Sequence, residues 1–294
     1  MVVVPERKIY VEGHLVGTAA QKSSKSSANT RVSLFYLVRA GRAAGYIIAS
    51  STLMIESTSM NLDKEVIKTL SNVTTATITT LLLKKGLRNV WMRGTRPLRP
   101  DQPRLVGPAF TLRFVPARED LATPQSWSKP ISTRAAIEAM PAGCIAVVDA
   151  MGVTDAGIFG DILCARMQQR GVAALVTDGV VRDVTGVLDT NLPVWCQGAA
   201  APPSVAGLTF VNWQEPIGCG GVAVFPDDIV VVDNDGAVLI PAALLDEIVA
   251  DAPEQERIEN WIMQEILSGA TLPGLYPPNA ENKARYEASR NGAK

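Results

Sequence analysis

Apolar and polar positions along this chain change rhythm several times, and each rhythm predicts an element. "LDKEVIKTLSNVTTATITTLLLKKG" spaces its apolar residues at helical intervals and predicts two helices ending at Gly86, with Thr75 to Thr80 near the start of the second. "RLVGPAFTLRFVPA" (104–117) alternates and predicts a strand, followed by a polar loop over 118–130. "TRAAIEAMPAG" predicts a short helix with a Pro-Gly stop. "CIAVVDA" (144–150) and "VAALVTDG" (172–179) are continuous apolar runs, the pattern of strands buried on both faces. Between them Ile162, Leu163, Ala165 and Met167 give a helical apolar face, with Asp161 expected as N-cap and Gly171 as the stop. The three pieces predict a parallel βαβ unit, and "PVWC" (193–196) a further short strand. "GGVAVFPDDIVVVDNDGAVLIP" (220–241) reads as two or three β segments with a hairpin turn at Asp235-Gly236, and 242–268 as a helix stopped by Gly269.

These elements predict an α/β core over residues 60–269. Residues 1–59 are expected to be a poorly ordered N-terminal extension, because "GTAAQKSSKSSANTR" is polar and of low complexity. The apolar stretch after it is interrupted by Arg39 and Arg42, so it makes a poor transmembrane span. Its start lacks the order of a secretory signal, and organelle targeting is the alternative reading of this basic, Ser-rich segment. Residues 270–294 are expected to be a Pro-rich arm and polar tail, either lying on a neighbouring subunit or solvated.

Charge and composition then narrow the chemistry. A net charge of -1 over 294 residues argues against nucleic-acid or anionic-membrane partners, which favour a basic excess. Four scattered cysteines (Cys144, Cys164, Cys196, Cys219) without a C-x-x-C pair predict reduced thiols of a cytoplasmic protein. The only histidine is His14, outside the predicted core, which disfavours histidine acid–base chemistry and histidine-ligated metal sites. No lysine lies between Lys129 and Lys283, which removes a Schiff-base lysine from the best-patterned region. Carboxylates, arginine, backbone amides and a hard, oxygen-held metal ion remain. Calcium binding by "DNDG" is the alternative to a turn, but the other ligands of an EF-hand loop are missing.

In a parallel βαβ unit both strand ends open on one sheet edge, where open α/β sheets bind ligands. Strands about 4.8 Å apart bring the loops that follow them to within roughly 10 Å of each other. The Gly160-Asp161 step and the Arg182-Asp183 step are thereby expected to face one cleft. Gly157 and Gly160 permit close backbone approach, and the amides of Ile162 and Leu163 at a helix start suit a carboxylate or phosphate. Arg182 can grip a carboxylate or enolate oxygen in bidentate fashion, while Asp161 and Asp183 can hold a Mg²⁺-like ion directly or through its waters. Read as structure alone, Asp161 is a helix cap, Arg182-Asp183 a surface turn pair, the glycines turn residues, and Asp149 and Asp178 caps of strand ends.

Gly160-Asp161, twenty intervening residues and then Arg182-Asp183 resemble the G-D-x20-R-D motif of the RraA-like superfamily. That superfamily includes 4-hydroxy-4-methyl-2-oxoglutarate aldolases and regulators of ribonuclease activity. "RLVGPAFT", "RGVAALVTDGVVRD", "GCGGVAVFPDDIVVVDNDGAVLIP" and "SGATLPGLYPP" are similar to it as well, so the resemblance runs from about Asn61 to Tyr276. It implies a β/β/α swivelling-type sandwich assembled as a homotrimer or hexamer. It also implies a cytoplasmic Mg²⁺- or Mn²⁺-dependent lyase that cleaves a 4-hydroxy-2-oxoacid to pyruvate and a second oxoacid, or decarboxylates oxaloacetate. By motif position Asp183 is then the metal ligand, Arg182 the pyruvate and enolate binder, and Asp161 the residue that orients a proton-donating water. Gly160, Ile162 and Leu163 form the carboxylate cradle. A glutamate from an adjacent subunit is also implied, with Glu256 and Glu259 the nearest candidates.

Two other functions follow from the same resemblance. One is a non-catalytic regulator that binds a ribonuclease. The other is a methyltransferase of menaquinone synthesis, against which stands the lack of a G-x-G-x-G loop opening a nucleotide-binding unit.

Overall fold

The computed structural model describes residues 62–292, together with the strand segments β1 (Arg7–Val11), β2 (His14–Ala19), β3 (Val32–Arg39) and β4 (Tyr46–Leu53). β1 pairs antiparallel with β2, and β3 with β4. Most of the low-complexity stretch expected to be disordered lies outside the described residues.

The core begins with two short helices, α1 (Lys64–Leu70) and α2 (Thr75–Lys84). Asp63 caps α1 through Glu65 N–H, and Thr74 caps α2 through Thr77 N–H. α2 stops where Gly86 takes a left-handed φ of 89°. Two short strands, β5 (Trp91–Met92) and β6 (Arg96–Pro97), precede the long β7 (Leu105–Pro116).

β7 is the seam of the fold. Its first residues pair antiparallel with β12 (Ile229–Asp233), which forms a hairpin with β13 (Gly236–Ile240), and β5 extends that side. The middle of β7 pairs in parallel with β8 (Ile145–Asp149), which continues through β9 (Ala174–Thr177) to β10 (Val194–Cys196), with β6 antiparallel at the edge. β11 (Leu208–Trp213) lies antiparallel along the end of β7. The expected βαβ unit is present: α4 (Asp161–Gln169) links β8 and β9 in register Ile145↔Ala174.

Strand periodicity distributes the core. Ala146, Val148 and Leu175 turn to one face and pack with Ile137, Met140, Cys164, Met167 and Val187 from α3 (Thr133–Ala139), α4 and α5 (Val184–Asp189). Ile145, Val147, Ala174 and Val176 turn to the other face and pack against Val230, Val232, Ala237 and Leu239 of the hairpin. This is the β/β/α sandwich, and α1, α2 and α6 (Leu245–Leu267) add a helical layer beyond the hairpin. Asp233 secures that layer, accepting hydrogen bonds from Thr75 N (2.9 Å) and Thr75 Oγ1 (2.7 Å).

Two local expectations change. The hairpin loop residues are Asn234-Asp235, because Gly236 already pairs with Asp233 and uses its glycine freedom at φ 119° as the first residue of β13. The polar C-terminal segment carries a helix, α7 (Ala280–Gly292). It docks on α6 through Tyr286 against Trp261 (5.6 Å between ring centroids) and through Tyr286 and Arg290 donating to Glu254. Sequence polarity concealed this because most of the docking is by polar side chains. Among the described residues no single helix is long and apolar enough to cross a membrane.

Candidate active site

The loops after β8 and β9 meet because pairing continues past the strand ends. Ile158 N–H donates to Val180 O (2.9 Å) and Arg182 N–H donates to Phe159 O (2.9 Å). On the far side Val181 N–H donates to Gly198 O (3.0 Å) and Ala200 N–H to Val181 O (2.9 Å). The segments 157–159, 180–182 and 198–200 thus lie side by side in parallel. Ile158, Phe159, Val180 and Val181 are fully buried, and burying each such side chain contributes about 1.5–3 kcal/mol. Apolar residues therefore anchor the loops, and the polar residues between them are turned outward.

Glycine makes the approach possible. A Cβ on Gly157 would stand 2.7 Å from Arg182 Cβ and 2.9 Å from Arg182 N. A Cβ on Gly160 would stand 2.7 Å from Asp183 Oδ2, and one on Gly186 would stand 2.8 Å from Asp161 Cβ. Each aspartate is thus seated on a glycine of the facing segment: Asp183 on Gly160, and Asp161 on Gly186 of α5. Sequence reasoning missed Gly186, whose only signal is a glycine inside a six-residue helix.

Gly160, Asp161, Ile162, Leu163, Arg182 and Asp183 all line one cleft of about 290 Å³. Arg182 Nε donates to Asp183 Oδ2 at 3.0 Å, and both side chains are half exposed. An exposed adjacent pair of this kind adds little stability. Asp183 has left-handed backbone (φ 53°, ψ 45°), an unusual conformation that Asp tolerates better than most residues. Asp161 is not the N-cap: Gly160 takes that position without a side-chain bond, and Asp161 is the first helical residue. Its Oδ1 accepts from Ile162 N–H (2.7 Å), so one of the two amides expected to be free is occupied in this structure.

Trp127, Thr133, Arg134, Pro203 and Ser204 line the same cleft, and sequence reasoning missed them. Trp127 lies in the polar 118–130 segment, in a short 3-10 turn over Pro124–Ser128. Its one signal in sequence is a lone aromatic among polar residues.

Asp149 and Asp178 lie outside this cleft. Asp178 is buried and accepts from Ala150 N–H (2.8 Å) and Gly220 N–H (3.0 Å), and burial raises its pKa above the ordinary value. Asp149 accepts from Met151 and Gly218 amides. Both hold loop backbone in place. Glu256 accepts from Thr74 N–H (2.6 Å), and Glu259 accepts from Thr77 Oγ1 (3.2 Å) and Gln255 Nε2 (2.6 Å). Both carboxylates are engaged within their own chain.

Among the described residues no three His, Cys, Asp or Glu side chains gather to hold a metal ion. Two carboxylates on one cleft suit an ion that keeps much of its water shell, which is the habit of Mg²⁺ and not of structural zinc. The residues therefore fit a Mg²⁺-like ion at Asp183, with Asp161 nearby.

Comparison with known proteins agrees in fold and sequence. A family model described as RraA-like, Aldolase/RraA, matches residues 71–239. A Halalkalibacterium halodurans protein, provisionally named 4-hydroxy-4-methyl-2-oxoglutarate aldolase, is 31% identical over 174 residues, 58% of this chain and 75% of the relative. Protein DlpA of Legionella pneumophila is 30% identical over 169 residues, 58% of this chain, and the match spans only 26% of DlpA's length. The crystal structure of Streptomyces coelicolor RraAS2, described as an unusual member of the RNase ES inhibitor RraA protein family, superimposes with a TM-score of 0.61 at 34% identity. That match covers 68% of this chain and 96% of RraAS2.

Proposed function

The chain belongs to the RraA-like (Aldolase/RraA) family, and on that premise we propose that it is a divalent-metal-dependent lyase cleaving a 4-hydroxy-2-oxoacid to pyruvate and a second oxoacid. 4-Hydroxy-4-methyl-2-oxoglutarate is the substrate favoured by the relative's name, and oxaloacetate decarboxylation is the related reaction. The observation that carries the reading is the reciprocal seating of Asp161 and Asp183 on Gly186 and Gly160, beside Arg182. Two partly exposed carboxylates and a guanidinium held this closely contribute little to stability and have an evident use in chemistry.

Each residue has a task. Arg182 binds the 2-oxoacid carboxylate and the oxygen that gathers charge as the C3–C4 bond breaks. Leu163 N–H, and Ile162 N–H once it leaves Asp161, cradle the carboxylate at the start of α4. Asp183 would hold Mg²⁺ or Mn²⁺, which when bound supplies Lewis-acid polarisation of the 2-oxo group. Asp161 orients the water that returns a proton to C3 of the enolate, giving pyruvate, while the 4-hydroxyl gives its proton to solvent water and becomes the second carbonyl. The electron pair of the broken bond ends in the new C3–H bond. The assembly is proposed to be a homotrimer or hexamer, measurable by light scattering.

The test is pyruvate release from 4-hydroxy-4-methyl-2-oxoglutarate. EDTA should abolish it, Mg²⁺ should restore it, and Arg182→Ala should lower kcat/KM by about 10³-fold, in the range for loss of a group that stabilises developing charge. Full turnover in Arg182→Ala would remove the site assignment. The likeness to RraAS2 favours a second reading, a ribonuclease-binding regulator. A tight complex with a ribonuclease, with no turnover of any oxoacid, would replace the first reading with the second.

A further inference from the structure

We infer that Arg134, stacked on Trp127, binds the distal carboxylate of the substrate and makes the cleft selective for dicarboxylic over monocarboxylic 2-oxoacids. The inference rests on the lyase reading for the placement of the first carboxylate at Arg182, and on the position of Arg134 in the cleft lining, over Trp127, for the second.

Arg182 and Arg134 are the two cationic residues on the cleft wall, and their circumstances differ. Arg182 is bonded to Asp183 on the aspartate side. Arg134 forms no ion pair or hydrogen bond among the described residues; its Cζ stands 4.6 Å from the Trp127 ring centroid. Arg166 on α4 and Arg170 at its C-cap differ in this, both being bonded to Glu138. A guanidinium held over an aromatic ring is oriented by the contact, and its N–H groups stay free around the edge of the plane. That arrangement suits bidentate capture of a carboxylate.

Charge balance makes the same case. The cleft carries two aspartates and two arginines, and Arg182 is already shared with Asp183. A monoanionic oxoacid needs only Arg182, whereas a dianionic one leaves its second carboxylate facing Asp161 or Asp183 unless another cation receives it. Arg134 is that cation, on the lining of the same cleft and not bonded to either aspartate. At about 290 Å³ the cleft is at the small end of ligand pockets, a scale that suits a short diacid.

The experiment is calorimetric titration of the Mg²⁺-loaded protein with 2-oxoglutarate and with pyruvate, comparing wild type, Arg134→Ala and Arg134→Lys. Wild type should bind 2-oxoglutarate at least about tenfold more tightly than pyruvate. Arg134→Ala should weaken 2-oxoglutarate by about 10- to 100-fold, the range of a charge-assisted hydrogen bond, and leave pyruvate within about twofold. Arg134→Lys should fall between, because an ammonium keeps the charge without the planar fork. Equal affinity of wild type for the two acids, absence of binding of both, or equal change of both in Arg134→Ala would overturn the inference. Turnover of 4-hydroxy-4-methyl-2-oxoglutarate is measured separately. Selective binding without turnover would keep the dicarboxylate site and remove the lyase reading; turnover without selectivity would do the reverse.

Discussion

Gly160→Ala separates the chemistry of the cleft from the stability of the fold. The added methyl would stand 2.7 Å from Asp183 Oδ2 and 3.2 Å from Arg182 Cγ. Comfortable non-bonded contact begins near about 3.5 Å, so the Asp183 carboxylate must retreat by about 0.8 Å. Gly160 has φ -116°, where alanine carries no backbone penalty. The obstructing atoms are the ends of half-exposed side chains, so the cost to folding should stay below about 1 kcal/mol, the lower edge of the overpacking range. Catalysis is less tolerant: misplacing a reacting group by about 1 Å costs about 10²-fold, or about 2.7 kcal/mol of barrier. Gly160→Ala should therefore melt within a few degrees of wild type and lose about 10²-fold in kcat/KM for pyruvate release, followed by coupled oxidation of NADH. Gly157→Ala is the contrast, because its methyl meets backbone at Arg182 N (2.9 Å) and Ala200 O (3.0 Å) and should cost about 1–3 kcal/mol of stability. Wild-type kcat/KM in Gly160→Ala, or an activity loss that only tracks unfolded protein, would refute the reasoning.

Other outcomes follow from the same geometry. Asp178→Ala leaves the Ala150 and Gly220 amides without their acceptor and should cost about 2–4 kcal/mol in urea unfolding, at the usual penalty for each unsatisfied buried group. Burial raises the Asp178 pKa, so the folded protein holds that proton more tightly than the unfolded chain. Its contribution to stability is then full below the ordinary aspartate pKa and is lost as pH rises through the raised value; the stability difference between wild type and Asp178→Asn should shrink across that rise. Glu254 is shifted the opposite way by its bond from Arg257, so its support of α7 is present above the ordinary glutamate range and is lost as pH falls through the lowered value. Amide exchange in α7 should quicken over that fall, and Glu254→Gln should flatten the response. Glu256→Ala removes the acceptor of Thr74 N–H and should lower stability by about 1 kcal/mol without altering pyruvate release, whereas loss of turnover alone would place Glu256 in a site.

What the sequence determined by itself is the part of the molecule set by periodicity and spacing. Two continuous apolar runs around an amphipathic stretch could bury both strand faces in only one way, so β8, α4 and β9 were legible, and with them the edge on which Gly160-Asp161 and Arg182-Asp183 emerge. The chemical options narrowed by subtraction, since histidine and lysine are missing from that region. What tertiary structure alone decided depends on distance across the chain. Gly186 beneath Asp161, Trp127 and Arg134 in the cleft lining, and Asp178 turned away to hold loop amides are contacts between segments with no local pattern to mark them. The N-cap is Gly160 and not Asp161, at a position where a Cβ would press on Asp183 Oδ2 at 2.7 Å, a contact across the chain that local sequence does not mark. Periodicity reports which face of an element is buried, but which side chains then meet in a cleft is settled only when the loops pack.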